Sequence, residues 1–358
     1  MRYTIPDKIK QLVPYQPLEG DYQIRLDANE SYISLSPIQR QKLQEQFVNL
    51  PFHRYPDPYA KQVCQSFAAF YQVNPELVTV GNGSDELIGL IFSAFCGDND
   101  KVGVFAHDFS MYQIDCSIFG VPCEVIPKQP DLTIQMDHAI SYINQHQISV
   151  VVFSNPCNPT SLGVKREEVI KLLNKTQALI VLDEAYMDFW DQSLLDKIEE
   201  FDRLIILKTC SKAIGLAGIR VGFAVANQSL TVALKAAKPP YNVNCISQEI
   251  AKTILSDKEY LMMAMQQITA HCKWLNRQLE ALAKEYPILE VVYPSDTNFI
   301  FIKTPLAKDI WEQLLKRSIA IRYMGDYLRI STGNEQENQT LLTELKQILE
   351  QYHGEGVR

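Results

Sequence analysis

Lys212 stands in the run TCSKAIGLAGIR, with hydroxyls at Thr209 and Ser211 before it and Arg220 eight residues after it. An amine in that company can do two jobs: condense with an aldehyde, and sit beside a phosphate held by the hydroxyls and the guanidinium. Asp183 and Tyr186 of VLDEAY lie 29 and 26 residues upstream of the lysine, and Asn158 of NPCNPT comes earlier still. Asp183 follows the apolar run ALIVL, where desolvation disfavours a carboxylate's charge and a cationic partner is needed. A protonated ring nitrogen is such a partner, and Tyr186 and Asn158 can donate to a ring oxygen. GNGSDELI sets Gly83, Ser84 and Asp85 ahead of an apolar helical run, the position at which free backbone N–H groups receive an anion. Aldehyde, phosphate, ring nitrogen and ring oxygen together describe pyridoxal phosphate (PLP), with Lys212 as its imine-forming amine and as the base that moves a Cα proton.

Taken singly, each residue has a plainer reading: Ser84 as a helix cap, Asn158 as a turn residue before proline, Asp183 as a cap or ion-pair partner. Their coincidence favours the site. Two arginines bear on substrate. Arg322 in IAIRYMG and Arg329 in YLRIS lie seven residues apart, the first ahead of a predicted strand and the second within it. A guanidinium inside an apolar strand needs an anion, so Arg329 is expected to take the substrate's anionic end; Arg322 is also readable as a surface charge. RYPDP, which contains Tyr55, is a proline-fixed aromatic turn.

The elements that must position these residues alternate. Strand-like runs at 77–80, 102–105, 121–126, 149–153, 179–182 and 204–207 are interleaved with helix-like runs at 85–95, 111–119, 137–145 and 166–175. The pattern is α/β: strands of Val, Ile and Leu predict a mostly parallel sheet between helices, with ligands beyond the strands' carboxyl ends. GNGSDE, NPCNPT, DEAY and TCSK all fall at such ends. After Pro239 and Pro240 the texture changes to helices at 247–256 and 259–285, strands around Val291 and Phe299, a helix at 307–317, a strand at 327–330 and a helix at 335–351. We therefore expect an N-terminal arm over 1–30, a large PLP-binding domain over 31–240 and a smaller α+β domain over 241–358.

The formal charge of −8, from 34 basic and 42 acidic residues, argues against nucleic acid or an anionic membrane as partner and suits a small metabolite. Apolar runs stop at strand length, and the N-terminal MRYTIPDKIK lacks a signal-like apolar stretch, so the cytosol is the expected compartment. The eight cysteines show no close zinc-type pairing and are expected to be reduced packing residues, with no metal. A nucleotide-binding dehydrogenase is disfavoured because GNGSDE does not match the spaced-glycine fingerprint. A PLP-binding regulator would be expected to carry a basic DNA-reading domain, which is not seen.

Over nearly its whole length the chain resembles the fold-type I PLP-dependent aminotransferases, and within them the histidinol-phosphate aminotransferase group. LDANES, RYPDP, GNGSDELI, FSMY, NPCNPT, DEAYMDF, SKAIGLAGIRVGF, PPYNVN, TNF and YLRIS occur in that group's order and at about its spacing. The resemblance implies Lys212 as the Schiff-base lysine, Asp183 as the pyridine partner, Tyr186 and Asn158 on the phenolate oxygen, and Phe109 stacked on the ring, where the family often has tyrosine. Gly83, Ser84, Asp85, Thr209, Ser211 and Arg220 would hold the phosphate, joined by Tyr55 from the other subunit of a homodimer. Tyr15, Asn29, Arg322 and Arg329 would line the substrate pocket. The implied reaction is transamination of L-histidinol phosphate with 2-oxoglutarate; an aromatic amino-acid aminotransferase or a threonine-phosphate decarboxylase would use the same machinery. AHDFSMY departs from the family's proline-rich approach to the stacking ring, and NPTSLG lacks its usual glycine.

Overall fold

The computed structural model describes residues 3–10, 12–14 and 16–353. Among these residues, twelve strands form two sheets. β1 is Ile24–Leu26, β2 Val78–Gly81, β3 Val102–Phe105, β4 Cys123–Ile126, β5 Val150–Ser154, β6 Leu179–Asp183, β7 Leu204–Thr209, β8 Gly222–Ala226, β9 Val291–Val292, β10 Phe299–Lys303, β11 Ile319–Met324 and β12 Tyr327–Ser331. The larger sheet has the order β2-β8-β7-β6-β5-β3-β4. Its strands β4, β3, β5, β6 and β7 run parallel, and β8 lies antiparallel to both β7 and β2. β2, β3, β5, β7 and β8 are buried throughout, as strands covered by helices on both faces must be. The α/β class with a mostly parallel sheet is therefore as the sequence predicts.

β8 was not predicted. The segment joining β7 to β8 holds only the short turn Ala217–Ile219 and no crossover helix, so the chain can return only antiparallel. That return brings Arg220 back beside the end of β7. Close approach is what the glycines permit: a Cβ on Gly222 would stand 2.3 Å from the Ser84 nitrogen, so β8 lies directly against the start of the helix Ser84–Phe95.

The second sheet has the order β1-β11-β12-β10-β9, antiparallel except for the parallel β1–β11 pair. β1 and β11 also went unpredicted. Residues 24–26, within the expected arm, are thus built into this sheet, and Arg322 lies inside β11 rather than ahead of a strand. The helix Lys258–Glu285 joins the two cores. Its Leu261, Met265 and Ile268 pack with the larger sheet, while Cys272, Leu275, Leu279 and Leu282 pack with the smaller. No helix among the described residues is long and apolar enough to cross a membrane.

Candidate active site

The carboxyl ends of β5, β6 and β7, the loop before the helix Met111–Phe119, the start of the helix Ser84–Phe95 and the β11–β12 pair surround one cavity of about 400 Å³. It is lined by Lys212, Asp183, Tyr186, Asn158, Phe109 and Ser84, together with Asp85, Thr209, Ser211, Arg220, Asn29, Arg322 and Arg329. Segments far apart in sequence meet here because they end adjacent strands, as expected of an open α/β sheet. Gly83 precedes the cavity as the helix N-cap, at φ +87, and a Cβ there would come within 2.8 Å of the Arg220 guanidinium. Ser84, expected as a cap in its plainer reading, is instead the first helical residue.

Two of the expected residues stand elsewhere. Tyr55 is 80 % exposed, stacked on Tyr241 at 4.5 Å between ring centroids, and does not line the cavity of its own chain. Tyr15 lies outside the described residues.

Asp183 is 4 % exposed. Its oxygens accept from the Tyr112 hydroxyl at 2.8 Å and the Ala185 N–H at 3.0 Å, and among the described residues no cationic side chain pairs with it. Burial pushes its pKa up to about 7, against the opposing pull of those two hydrogen bonds. A cationic group placed in the cavity would relieve that penalty. Tyr112 was missed as a site residue, although FSMY puts it three positions after Phe109, on the same side of a helix start. Burial raises its own pKa well above the usual phenol value, so it remains a donor.

Lys212 Nζ donates to the Ala28 carbonyl at 3.2 Å and lies 5.7 Å from the centroid of the Tyr186 ring. The Tyr186 hydroxyl accepts from Asn29 Nδ2 at 2.9 Å, which leaves its own proton to point elsewhere. The Asn29 amide oxygen in turn receives the Ser331 hydroxyl at 3.1 Å. Arg329, 7 % exposed, donates from Nη1 to Asn158 Oδ1 at 2.6 Å and from Nη2 to the Asp27 carbonyl at 2.9 Å. Arginine can only donate, so this bond fixes the Asn158 oxygen toward it and leaves Nδ2 as the amide's remaining donor. Arg322 and Arg329 are direct cross-strand partners, so their side chains share one face of the sheet, and both border the cavity.

At the other end, Arg220 donates to Ser211 Oγ at 3.3 Å and pairs with Asp85 at 3.0 Å. Thr209 and Ser211 are each 6 % exposed. With the unpaired first N–H groups of the helix Ser84–Phe95 they form a donor set suited to a dianion. The cavity thus offers an anion seat, an amine, a buried carboxylate awaiting a cation, two directed donors and an aromatic face, with a second cationic seat at Arg322 and Arg329.

Comparison with known proteins agrees. Residues 21–345 match the family model for aminotransferase class I and II. The chain is 35 % identical over 346 residues to a histidinol-phosphate aminotransferase of Clostridium kluyveri, covering 95 % of this chain and 97 % of that one. It is 33 % identical over 349 residues to one of Pyrococcus furiosus, covering 96 % and 98 %. The fold superposes with a TM-score of 0.85 and 21 % identity on the histidinol-phosphate aminotransferase of Sinorhizobium meliloti, solved with pyridoxal-5'-phosphate, over 97 % of this chain and 98 % of that one. This chain belongs to the class I and II aminotransferases.

Proposed function

We propose that the chain is a PLP-dependent transaminase that moves the amino group of L-histidinol phosphate to 2-oxoglutarate, leaving imidazole-acetol phosphate and L-glutamate. The observation that carries the cofactor assignment is Asp183, a buried carboxylate without a cation among the described residues, facing the cavity that holds Lys212. The donor set fits the same molecule: a pyridine nitrogen that gains a proton beside a carboxylate, a phosphate, and a ring oxygen.

When bound, PLP supplies an aldehyde that condenses with amines and a ring that takes up the electron pair left at Cα as its proton departs. Ser84, Thr209, Ser211, Arg220 and the N–H groups of residues 83–85 would hold the phosphate. Asp183, oriented by Tyr112, would keep the ring nitrogen protonated. Tyr186 and Asn158 Nδ2 would donate to the ring oxygen, and Phe109 would cover a ring face. Lys212, once displaced by substrate, would take the Cα proton and return it at the cofactor's C4′ carbon.

Arg322 and Arg329 would receive the phosphate ester of one substrate and a carboxylate of the other, since paired guanidinium forks match both anions. Asn29, spent on Tyr186 and Ser331, would shape the pocket by holding the phenol. The names of the relatives support histidinol phosphate as amino donor. We also propose a homodimer in which Tyr55 reaches the partner's phosphate site; its exposure outside the pocket of its own chain supports this. All eight cysteines are free, which suits a cytosolic setting.

The purified protein should form glutamate from L-histidinol phosphate and 2-oxoglutarate, with phenylalanine and threonine phosphate assayed in parallel. No turnover of histidinol phosphate beside clear turnover of either other compound would overturn the substrate assignment.

A further inference from the structure

Besides Asp183 and the Arg220-paired Asp85, the cavity is lined by a third carboxylate, to which the proposed mechanism gives no task. Asp108 sits in the loop between β3 and the helix Met111–Phe119 and borders the same cavity. It accepts the Ser154 hydroxyl from the end of β5 and the Phe109 N–H at 2.7 Å, and the Ser154 N–H faces its two oxygens at 3.4 and 3.3 Å. Because the Ser154 proton goes to Asp108, the hydroxyl's lone pairs are left to accept, and the Asn158 backbone N–H donates to them at 3.0 Å. Asn158 then receives Arg329 through its side-chain oxygen at 2.6 Å. Hydrogen bonds to the backbone and to the side chain of Asn158 thus link Asp108, in the loop after β3, and Ser154, at the end of β5, to Arg329 of β12.

Three members of this chain of bonds are largely buried: Ser154 is 4 % exposed, Asn158 9 % and Arg329 7 %. Water is poorly placed to replace a missing link, and a buried group that loses its partner bears the desolvation cost. One bond to the Phe109 N–H would suffice for a loop turn; three donors converging on Asp108 from two segments do more.

We propose that Asp108 and Ser154 are positioning residues of the transamination site, whose bridge holds the Asn158 backbone and so places its side-chain amide and, through that, the Arg329 guanidinium. Preset groups of this kind spare the reorganisation that loosely held ones would need when cofactor and substrate bind. The inference rests on the cavity being the PLP site, and it assigns the residue of the AHDFSMY departure a task there.

The test uses the full-length holoenzyme of wild type, S154A, D108N, D108A and the double variant D108A/S154A. Each is checked for folding by thermal melting. Two quantities are read: kcat/KM for histidinol phosphate, and the pH midpoint at which the visible band of the Lys212-bound cofactor changes. Ser154 does not titrate, and S154A leaves in place Lys212, Arg329, Asp108 and the ionisable groups whose charge bears on Asp108, namely Lys128, Cys157, Asp183 and Tyr112, so a moved midpoint reports the Asn158 side-chain donor. Loss of a donor to the ring oxygen disfavours the anionic ring, so S154A should raise the midpoint by about half a pH unit and lower kcat/KM about tenfold. D108A should lose about as much kcat/KM, while D108N, which still accepts from Ser154, should stay within about threefold of wild type. The double variant should fall within about twofold of either single one, because both cut the same chain.

An unmoved midpoint in S154A with kcat/KM within about twofold of wild type overturns the proposal, as do losses that multiply in the double variant. A wild type without any visible band would instead remove the reading of the cavity itself, and the bridge's role with it.

Discussion

Replacing Lys212 by alanine is expected to lower kcat for amino transfer by about 10⁴-fold or more, the upper end of what a positioned general base contributes. No other lysine borders the cavity among the described residues, so no neighbouring amine can take over. Tyr186 accepts from Asn29 and keeps its proton as a hydrogen-bond donor, and Asp183 is committed to Tyr112 and the Ala185 N–H. The phosphate seat of Arg220, Ser211 and Thr209 is separate from the lysine's amine, so K212A should still be stabilised by added PLP in a thermal melt. Steady-state turnover with histidinol phosphate and 2-oxoglutarate checks the first part. A K212A enzyme within about tenfold of wild type would show that the amine is not the proton carrier.

The substitution D183N separates function from stability, because it should move them in opposite directions. Removing the charge that faces the ring nitrogen takes away a preorganised electrostatic partner, and kcat should fall by about 10²- to 10³-fold. The cofactor-free protein should gain stability. The folded-state pKa of Asp183 is pushed up to about 7, chiefly by burial, whereas an unfolded aspartate titrates near 3.9. The unfolded chain therefore ionises first as pH rises, and holding the charge inside the fold costs roughly 1.4 kcal/mol for each pH unit between those two values. The penalty is absent below pH ~4, grows up to pH ~7 and is constant above it. Asparagine carries none of it. Urea unfolding of apo wild type and apo D183N at acidic and mildly alkaline pH should show the variant's advantage widening toward the alkaline end. An apo D183N no more stable than wild type under alkaline conditions would contradict the uncompensated charge.

Much of the larger sheet was legible because β5, β6 and β7 are uninterrupted apolar runs ending in polar residues, and their ends carry Asn158, Asp183 and Thr209. What stayed hidden depended on partners remote in sequence. β1 has three residues, too few to show a period, and exists because β11 lies beside it. β11 begins as the buried IAI and then passes to a half-buried Arg322 and an exposed Tyr323 and Met324, so its buried apolar signal stops halfway, although pairing with β12 carries the strand on. The Tyr112–Asp183 bond spans 71 residues, and no local pattern announces it.

Lys208 shows the limit from the other side. This lysine directly follows the predicted strand 204–207, and it is 1 % exposed. Asp188 at 2.7 Å, Glu184 at 3.8 Å and the Tyr71 ring at 4.7 Å supply its environment. Only the fold brings those groups together, and without them a buried ammonium would be very costly.

The central claim is a covalent bond at one nitrogen. Reducing the holoenzyme with borohydride, digesting it and mapping the cofactor-bearing peptide by mass spectrometry tests that claim most directly. The cofactor should be fixed on the lysine of TCSKAIGLAGIR, at Lys212, and on no other. A label fixed on a different lysine, or no label on a protein that turns over histidinol phosphate, would contradict the account.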